Sequence, residues 1–103
     1  MSRYVPVAKT DQIPKGKVIV VEPDGHRIAL CNVDGQFYAI DDVCTHDGGS
    51  LDQGELDGAS IECPRHGGRF DVRTGHVVAL PPVRPVGTYP VRVEGDNIAV
   101  EID

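Results

Sequence analysis

The chain contains one short pattern twice, as CTHDGGSLD at residues 44–52 and as CPRHGGRFD at residues 63–71. Each segment gives a cysteine, a histidine, a Gly-Gly pair, a polar residue, an apolar residue and an aspartate, in that order. A thiolate and an imidazole two or three residues apart can face one metal centre from the same loop. The sixteen residues between His46 and Cys63 allow the chain to run out and return. The pattern therefore predicts two matched loops that close on one object.

Cysteine and histidine together suit more than one kind of metal site. Structural zinc sites use both, but zinc fingers usually group cysteines in one loop and histidines in the other, whereas each loop here supplies one of each. A plant-type iron–sulfur cluster needs four cysteines, and the chain has three. A two-iron cluster with both thiolates on one iron and both imidazoles on the other fits the order of residues. Zinc and this two-iron cluster remain as alternatives.

The boxes CTH at 44–46 and CPRHG at 63–67, and the spacing between them, resemble the ligand boxes of the Rieske family. The resemblance implies one Rieske-type [2Fe–2S] cluster held by Cys44, His46, Cys63 and His66. It implies the family's fold as well, an antiparallel β-sandwich base with a small cluster-binding subdomain of two loops. Nearly the whole chain is covered, which predicts one Rieske domain over residues 1–103 with the subdomain at about residues 42–74.

The resemblance also indicates where the reduction potential lies. Rieske centres span about −150 to +300 mV, against about −400 mV for plant-type ferredoxins. Respiratory members have an additional, disulfide-paired cysteine in each loop, at the positions of Gly49 and Arg65 here. High-potential members carry a serine and a tyrosine that hydrogen-bond to sulfur, where this chain has Gly68 and Phe70. Fewer hydrogen bonds to sulfur stabilise the reduced cluster less, so we expect a low-potential centre.

Turn signals at short, regular intervals predict an all-β fold. Asp24-Gly25, Asp34-Gly35 and Gly95-Asp96 each separate two segments of alternating apolar residues, as hairpin turns do. In the last hairpin, Ile98, Val100 and Ile102 lie at every second position, which predicts one buried face. The prolines at 81, 82, 85 and 90 predict a stiff connector outside any central strand. The predicted strands are residues 17–21, 27–33, 37–41, 91–94 and 97–102.

Composition limits the class of protein. The length of 103 residues, with 40% hydrophobic and 25% charged residues, predicts one ordinary globular domain. The net charge of −6 argues against nucleic acid as a partner, because phosphates repel it. The N-terminus contains no apolar run of signal-peptide or membrane-span length, so we expect a cytoplasmic protein without a membrane partner. Three cysteines in such a chain favour metal binding or packing over a disulfide framework.

The resemblance implies a function. Short single-domain Rieske proteins of low potential are similar to the ferredoxin components of bacterial aromatic-ring-hydroxylating dioxygenase systems. In such systems a flavin-dependent NAD(P)H reductase supplies electrons, the ferredoxin carries them singly, and a terminal oxygenase uses them. We therefore expect a monomeric electron carrier of aromatic hydrocarbon catabolism, and not an enzyme. The alternatives are the Rieske-like small subunit of an assimilatory nitrite reductase and a structural zinc module that only binds partners.

Several other residues have simpler interpretations. We interpret Cys31 as a small buried hydrophobe, because it lies in an alternating segment outside both ligand boxes. His26 and His76 follow turn signals and are interpreted as solvated turn residues. Phe37 and Tyr38 are expected to pack in a sheet.

Charged residues surround the two loops. The acidic set is interpreted as a solvated rim, with a docking surface for a basic partner as the alternative. The arginines of the second loop would either balance that charge locally or contact a partner. The acidic set comprises Asp41, Asp42, Asp47, Asp52, Glu55 and Asp57, and the arginines are Arg65, Arg69 and Arg73.

Overall fold

The computed structural model describes residues 3–45, 48–64, 67–80 and 84–102. The all-β prediction is confirmed, because these residues form strands and three-residue 3-10 helices. Within them, no helix is long and apolar enough to cross a membrane. The strands are β1 (Arg3–Lys9), β2 (Val18–Val21), β3 (Ile28–Val33), β4 (Gln36–Asp41), β5 (Leu56–Asp57), β6 (Ser60–Glu62), β7 (Arg69–Asp71), β8 (Val77–Ala79), β9 (Thr88–Tyr89), β10 (Val91–Glu94) and β11 (Asn97–Ile102). The 3-10 helices are Thr10–Gln12, Pro23–Gly25 and Leu51–Gln53.

The strands pair antiparallel in three sheets, in the orders β1-β11-β10, β2-β3-β4-β9 and β5-β6-β7-β8. Asp34 and Gly35 form the tight turn between β3 and β4, both with positive φ, as a turn that matches the twist of the strands requires. Gly95 and Asp96 likewise join Glu94 to Asn97 in the last hairpin. Asp24-Gly25 is not a two-residue turn. Since Val21 pairs with Ile28, the connection there spans residues 22–27 and contains a 3-10 helix.

One apolar cluster lies between the first two sheets. Ile98, Val100 and Ile102 of β11 are buried in it, which confirms the predicted alternation. Val93 of β10 shares that alternation yet stays 45% exposed, because β10 is the edge strand of its sheet. Ile28 and Leu30 of β3 complete the cluster from the second sheet.

A second apolar cluster lies on the other face of β3. Ala29 and Cys31 point into it, so β3 is buried on both sides and Cys31 is confirmed as a packing residue. Phe70 and Ile61 contribute from the third sheet. Cys44 and Cys63 are members of the same cluster, so the two cysteine loops rest directly on a packed core.

Candidate metal centre

The two cysteine loops repeat one set of backbone hydrogen bonds. In the first loop, the Cys44 N–H donates to the carbonyl of Gly49 (2.7 Å), and the Gly48 N–H donates to the carbonyl of Cys44 (2.8 Å). In the second loop, the Cys63 N–H donates to the carbonyl of Gly68 (2.6 Å), and the Gly67 N–H donates back to Cys63 (3.0 Å). The repeated sequence pattern is therefore a repeated conformation.

Glycine is needed at the same position of each turn. Gly48 has φ of 75° and Gly67 has φ of 74°, in the left-handed region that side chains with a Cβ rarely adopt. This requirement explains why both sequence segments place the first glycine of the pair at the same distance from the cysteine.

The matched turns bury both thiols in the second core cluster. Cys44 and Cys63 are each 1% exposed. His46 and His66, the other two predicted ligands, lie outside the described residues. The structure thus places the two predicted sulfur ligands in one core cluster, while the complete four-ligand set stays a prediction.

Close backbone contact holds the two loops side by side. The Glu62 N–H, one residue before Cys63, donates to the carbonyl of Glu55 (3.0 Å). Gly54 follows the 3-10 helix that ends the first loop, and it packs so tightly on the Glu62 carbonyl that a Cβ at this position would overlap the oxygen. The end of the first loop is therefore in contact with the start of the second.

The connector after β8 also reaches the first loop. The Thr45 hydroxyl donates to the carbonyl of Arg84 (2.7 Å), and the Val86 N–H donates to the carbonyl of Gly75 (2.9 Å). Sequence reasoning identified this connector as stiff from its prolines but did not place it beside the cysteine loops. Pro81 and Pro82 lie outside the described residues, whereas Pro85 and Pro90 are outside the strands, as predicted.

The interpretation of the acidic residues as a solvated rim is wrong for part of the set. Asp42 is buried, and its carboxylate accepts a hydrogen bond from Nε of Arg27 (2.9 Å) and another from the Asp52 N–H (2.7 Å). Burial raises the pKa of Asp42, and the interaction of its side chain with the carboxyl group of Asp52 raises that pKa further, while the hydrogen bond from the Asp52 N–H and the charge of Arg27 oppose the shift. Asp41 accepts a hydrogen bond from the Tyr89 hydroxyl. These carboxylates are structural because each is tied to a neighbouring strand or loop.

The remaining charges of this region behave as expected for a surface. Glu55 is exposed, and the Asp57 side chain is 82% exposed, whereas Asp47 lies outside the described residues. Arg69 lies 3.7 Å from both Asp57 and Glu62, so it balances charge locally.

Arg73 also balances charge within its own turn. Its guanidinium donates to both carboxylate oxygens of Asp71, at 3.1 and 2.9 Å, and holds the pKa of Asp71 below its usual range. Arg65 lies outside the described residues.

The two other histidines differ from each other. His76 is exposed, as predicted for a turn residue. His26 is half-buried, and its ring meets the ring of Tyr89 edge-on, with 6.2 Å between centroids, so the prediction of a solvated residue is wrong. Phe37 and Tyr38 pack against the core clusters, as expected.

The residues present fit an iron–sulfur centre. Two thiols at the ends of matched turns are ligands that iron–sulfur clusters prefer, and their burial over an apolar core limits contact with water. The fold and the matched loops define the class: a small antiparallel β domain built around a candidate metal centre.

Comparison with known proteins identifies the family. The Rieske [2Fe–2S] domain family matches residues 3–90. The chain therefore belongs to the Rieske [2Fe–2S] family, and the cofactor of that family is a [2Fe–2S] cluster. The ferredoxin component of the p-cumate 2,3-dioxygenase system of Pseudomonas putida is 44% identical over 104 residues, which cover 99% of this chain and 88% of that protein.

Solved structures agree with this family. The ferredoxin of carbazole 1,9a-dioxygenase from Nocardioides aromaticivorans IC177 is 41% identical, with a TM-score of 0.91 over 94% of this chain and 95% of that chain. A ferredoxin-type chain in a complex of reduced oxygenase and oxidized ferredoxin of carbazole 1,9a-dioxygenase is 38% identical, with a TM-score of 0.89 over 94% of this chain and 91% of that chain. A nitrite reductase small subunit from Mycobacterium tuberculosis has a TM-score of 0.88 over 100% and 97% of the two chains, but its identity of 22% shows a shared fold only.

Proposed function

We propose that this chain is the electron-carrier ferredoxin of a ring-hydroxylating dioxygenase system, and that it is not itself the enzyme that transforms the substrate. The observation that carries the proposal is the pair of matched loops bearing buried Cys44 and Cys63. They occur in a chain that is similar over 99% of its length to the ferredoxin component of such a system. The similarity to the nitrite reductase small subunit extends to the fold alone and gives that alternative no further support.

The proposed cluster ligands are Cys44 and Cys63 on one iron and His46 and His66 on the other. When bound, the cluster would accept and release one electron at a time. The chain's own contribution is to hold the ligands on two turns that are hydrogen-bonded internally and packed on a rigid core. A rigid site favours electron exchange because little has to move between the two oxidation states.

A low reduction potential follows from the surroundings of the two thiols. Gly68 has no side chain to offer a hydroxyl, and Phe70 is fully buried with its ring in the second core cluster. Neither residue donates a side-chain hydrogen bond to sulfur. We therefore place the potential in the lower part of the Rieske range.

The electron partners are proposed to dock at the cysteine-loop end, on an apolar surface. Val43 adjoins Cys44 and is 38% exposed. Leu80 is 74% exposed and follows Ala79, which pairs with Arg69 at the base of the second loop. Both residues therefore adjoin segments that carry or follow the two cysteine loops. The proposal is that Val43 and Leu80 belong to one apolar contact surface, since contiguous exposed apolar side chains mark the surfaces on which partners dock.

The proposed partners are a terminal oxygenase, which accepts electrons, and a flavin-dependent NAD(P)H reductase, which supplies them. The solved carbazole complex of ferredoxin and oxygenase supports the first partner. Asp41, Asp42 and Asp52 are engaged within the fold, which leaves Glu55 and Asp57 as the described members of the acidic set that could steer a basic partner. We expect the docking to depend mainly on apolar contact and to respond weakly to salt.

Reconstitution of electron transfer tests the proposal. The purified chain is mixed with the reductase and oxygenase of the p-cumate or a carbazole system, and substrate-dependent NAD(P)H oxidation is followed. Leu80→Lys should reduce the rate roughly tenfold at subsaturating ferredoxin, as expected when a central apolar contact is lost. Val93→Lys, a matched change at an exposed valine of the edge strand β10, should keep the rate within about twofold. A chain that transfers no electrons in any such system, or equal effects of the two variants, contradicts the proposal.

A further inference from the structure

The two cysteine loops are closed in different ways. The second loop joins β6 to β7, which pair directly through Glu62 with Arg69 and Ile61 with Phe70. It is therefore the loop of a hairpin, and a ladder of backbone hydrogen bonds fixes its ends. The first loop runs from the end of β4 to the 3-10 helix Leu51–Gln53, and in the described part of the chain no strand pairing joins these two elements.

A side chain closes the first loop instead. One carboxylate oxygen of Asp42, just before the loop, accepts a hydrogen bond from the N–H of Asp52, just after it, at 2.7 Å. The Asp42 N–H donates to the carbonyl of Arg27 at 3.0 Å, which fixes the same residue to the start of β3. Asp42 thus connects both ends of the first loop to the sheet beneath it.

Arg27 makes a buried carboxylate tolerable at this position. Its Nε donates to the second carboxylate oxygen of Asp42 at 2.9 Å, and the Asp42 side chain is 0% exposed. The same guanidinium lies 3.8 Å from Asp52 and 3.0 Å from Glu22. Burial of a charge is costly unless it is paired and hydrogen-bonded, and Asp42 is both. We call Arg27, Asp42 and Asp52 the loop clasp.

We propose that the loop clasp positions the first cysteine loop for cluster binding, with Asp42 as the positioning residue and Arg27 as its support. The inference rests on the proposed cluster ligands of the previous section. Asp42 lies two residues before Cys44, and backbone hydrogen bonds hold both residues, so the position of Asp42 constrains where the thiol can lie. Partners behind a metal ligand commonly change metal affinity by 10–100-fold when removed.

The rate of cluster loss to an iron chelator tests this role in the isolated, loaded protein. Asp42→Ala removes both hydrogen bonds and should increase the rate at least tenfold, with a changed electron paramagnetic resonance (EPR) spectrum of the reduced protein. Asp42→Asn keeps an oxygen that accepts the Asp52 N–H but loses the acceptor for Arg27, so its rate should be intermediate. Asp57→Asn, at an exposed aspartate of the same region, should lose the cluster at the wild-type rate.

A second control separates positioning from general stability. Ile98→Ala destabilises the apolar cluster on the far side of β3 and leaves the loop clasp untouched. The inference is wrong if this variant has the same melting temperature as Asp42→Ala and loses its cluster equally fast. It is also wrong if Asp42→Ala loses its cluster at the same rate as Asp57→Asn. If Asp42→Ala does not fold, Asp42→Asn and Arg27→Gln test the inference instead. Both variants should lose the cluster faster than Asp57→Asn does. A wild-type chain that never binds iron refutes the proposed function, whereas loaded variants with equal rates refute only the clasp.

Discussion

The contact between the two cysteine loops gives a prediction at Gly54. In the structure, a Cβ built on Gly54 overlaps the carbonyl oxygen of Glu62 and lies 2.9 Å from its carbonyl carbon. The third neighbour, the carbonyl oxygen of Leu51, is 3.3 Å away. All three atoms are backbone, so the overlap is relieved only when the 3-10 helix and β6 move apart. Gly54→Ala should therefore separate the two loops.

The magnitude follows from steric overlap alone. Gly54 has φ of −85° and ψ of 179°, a conformation that alanine adopts without strain. Forcing an additional carbon into a packed contact costs about 1–3 kcal/mol, and a rigid backbone on both sides places this site at the upper end. For a domain of 103 residues, a loss of about 2–3 kcal/mol lowers the melting temperature by roughly 10–20 °C.

Circular dichroism and iron analysis provide the assay. Gly54→Ala should melt at the lower temperature and should retain less iron per chain than the wild type. Gly58→Ala is the matched control, because a Cβ there meets nothing within 4 Å, although its φ of +60° is strained for alanine. That strain costs about 1–2 kcal/mol and should leave the iron content unchanged. A Gly54→Ala protein with the melting temperature and iron content of the control would refute the close contact between the loops.

Three further predictions concern single side chains. Cys31→Ser should keep the visible absorbance and the iron content, whereas Cys63→Ser should lose the cluster. Cys31→Ser should also lower the free energy of unfolding by about 1–3 kcal/mol, because it buries a hydroxyl in an apolar core. Burial raises the pKa of the Cys31 thiol to about 12, so in the folded protein iodoacetamide at pH 8 should leave Cys31 unmodified, and rapid modification would show that it is not buried. Arg73→Gln should lower the melting temperature by at most a few degrees at pH 7, because the pair with Asp71 is screened by solvent. The pKa of Asp71 is lowered in the folded state, so the stabilisation by Arg73 is complete above the ordinary carboxyl pKa and disappears as the pH falls through the folded pKa. The melting temperatures of the variant and the wild type should therefore converge in strong acid. Lys17→Gln, at an exposed lysine, is the control and should show no such convergence.

The sequence was informative wherever a local pattern determines the structure. The strands at 91–94 and 97–102 were predicted to the residue, because period-two alternation and a Gly-Asp turn are both local signals. The matched cysteine turns were also visible, since each needs a glycine at a fixed distance from its cysteine. Their geometry repeats because their sequence repeats.

Other features depend on contacts that are distant in the chain. β1 was missed because Pro6 interrupts its pattern, and the strand tolerates that proline only as an edge strand with a register shift beside it. The strands of the third sheet are two or three residues long, which is too short for a periodic signal. The burial of Asp42 depends on Arg27, fifteen residues away, and no local pattern distinguishes it from an exposed aspartate.

We propose that the thiols of Cys44 and Cys63 and the imidazoles of His46 and His66 hold one di-iron cluster. Pulsed EPR of the reduced protein, labelled with ¹⁵N-histidine, detects the imidazole ligands directly. We expect two strongly coupled histidine nitrogens, and the coupling should persist in a protein that carries His26→Gln and His76→Gln. A reduced protein with no histidine coupling, or one whose coupling disappears with those two substitutions, would rule out this ligand set.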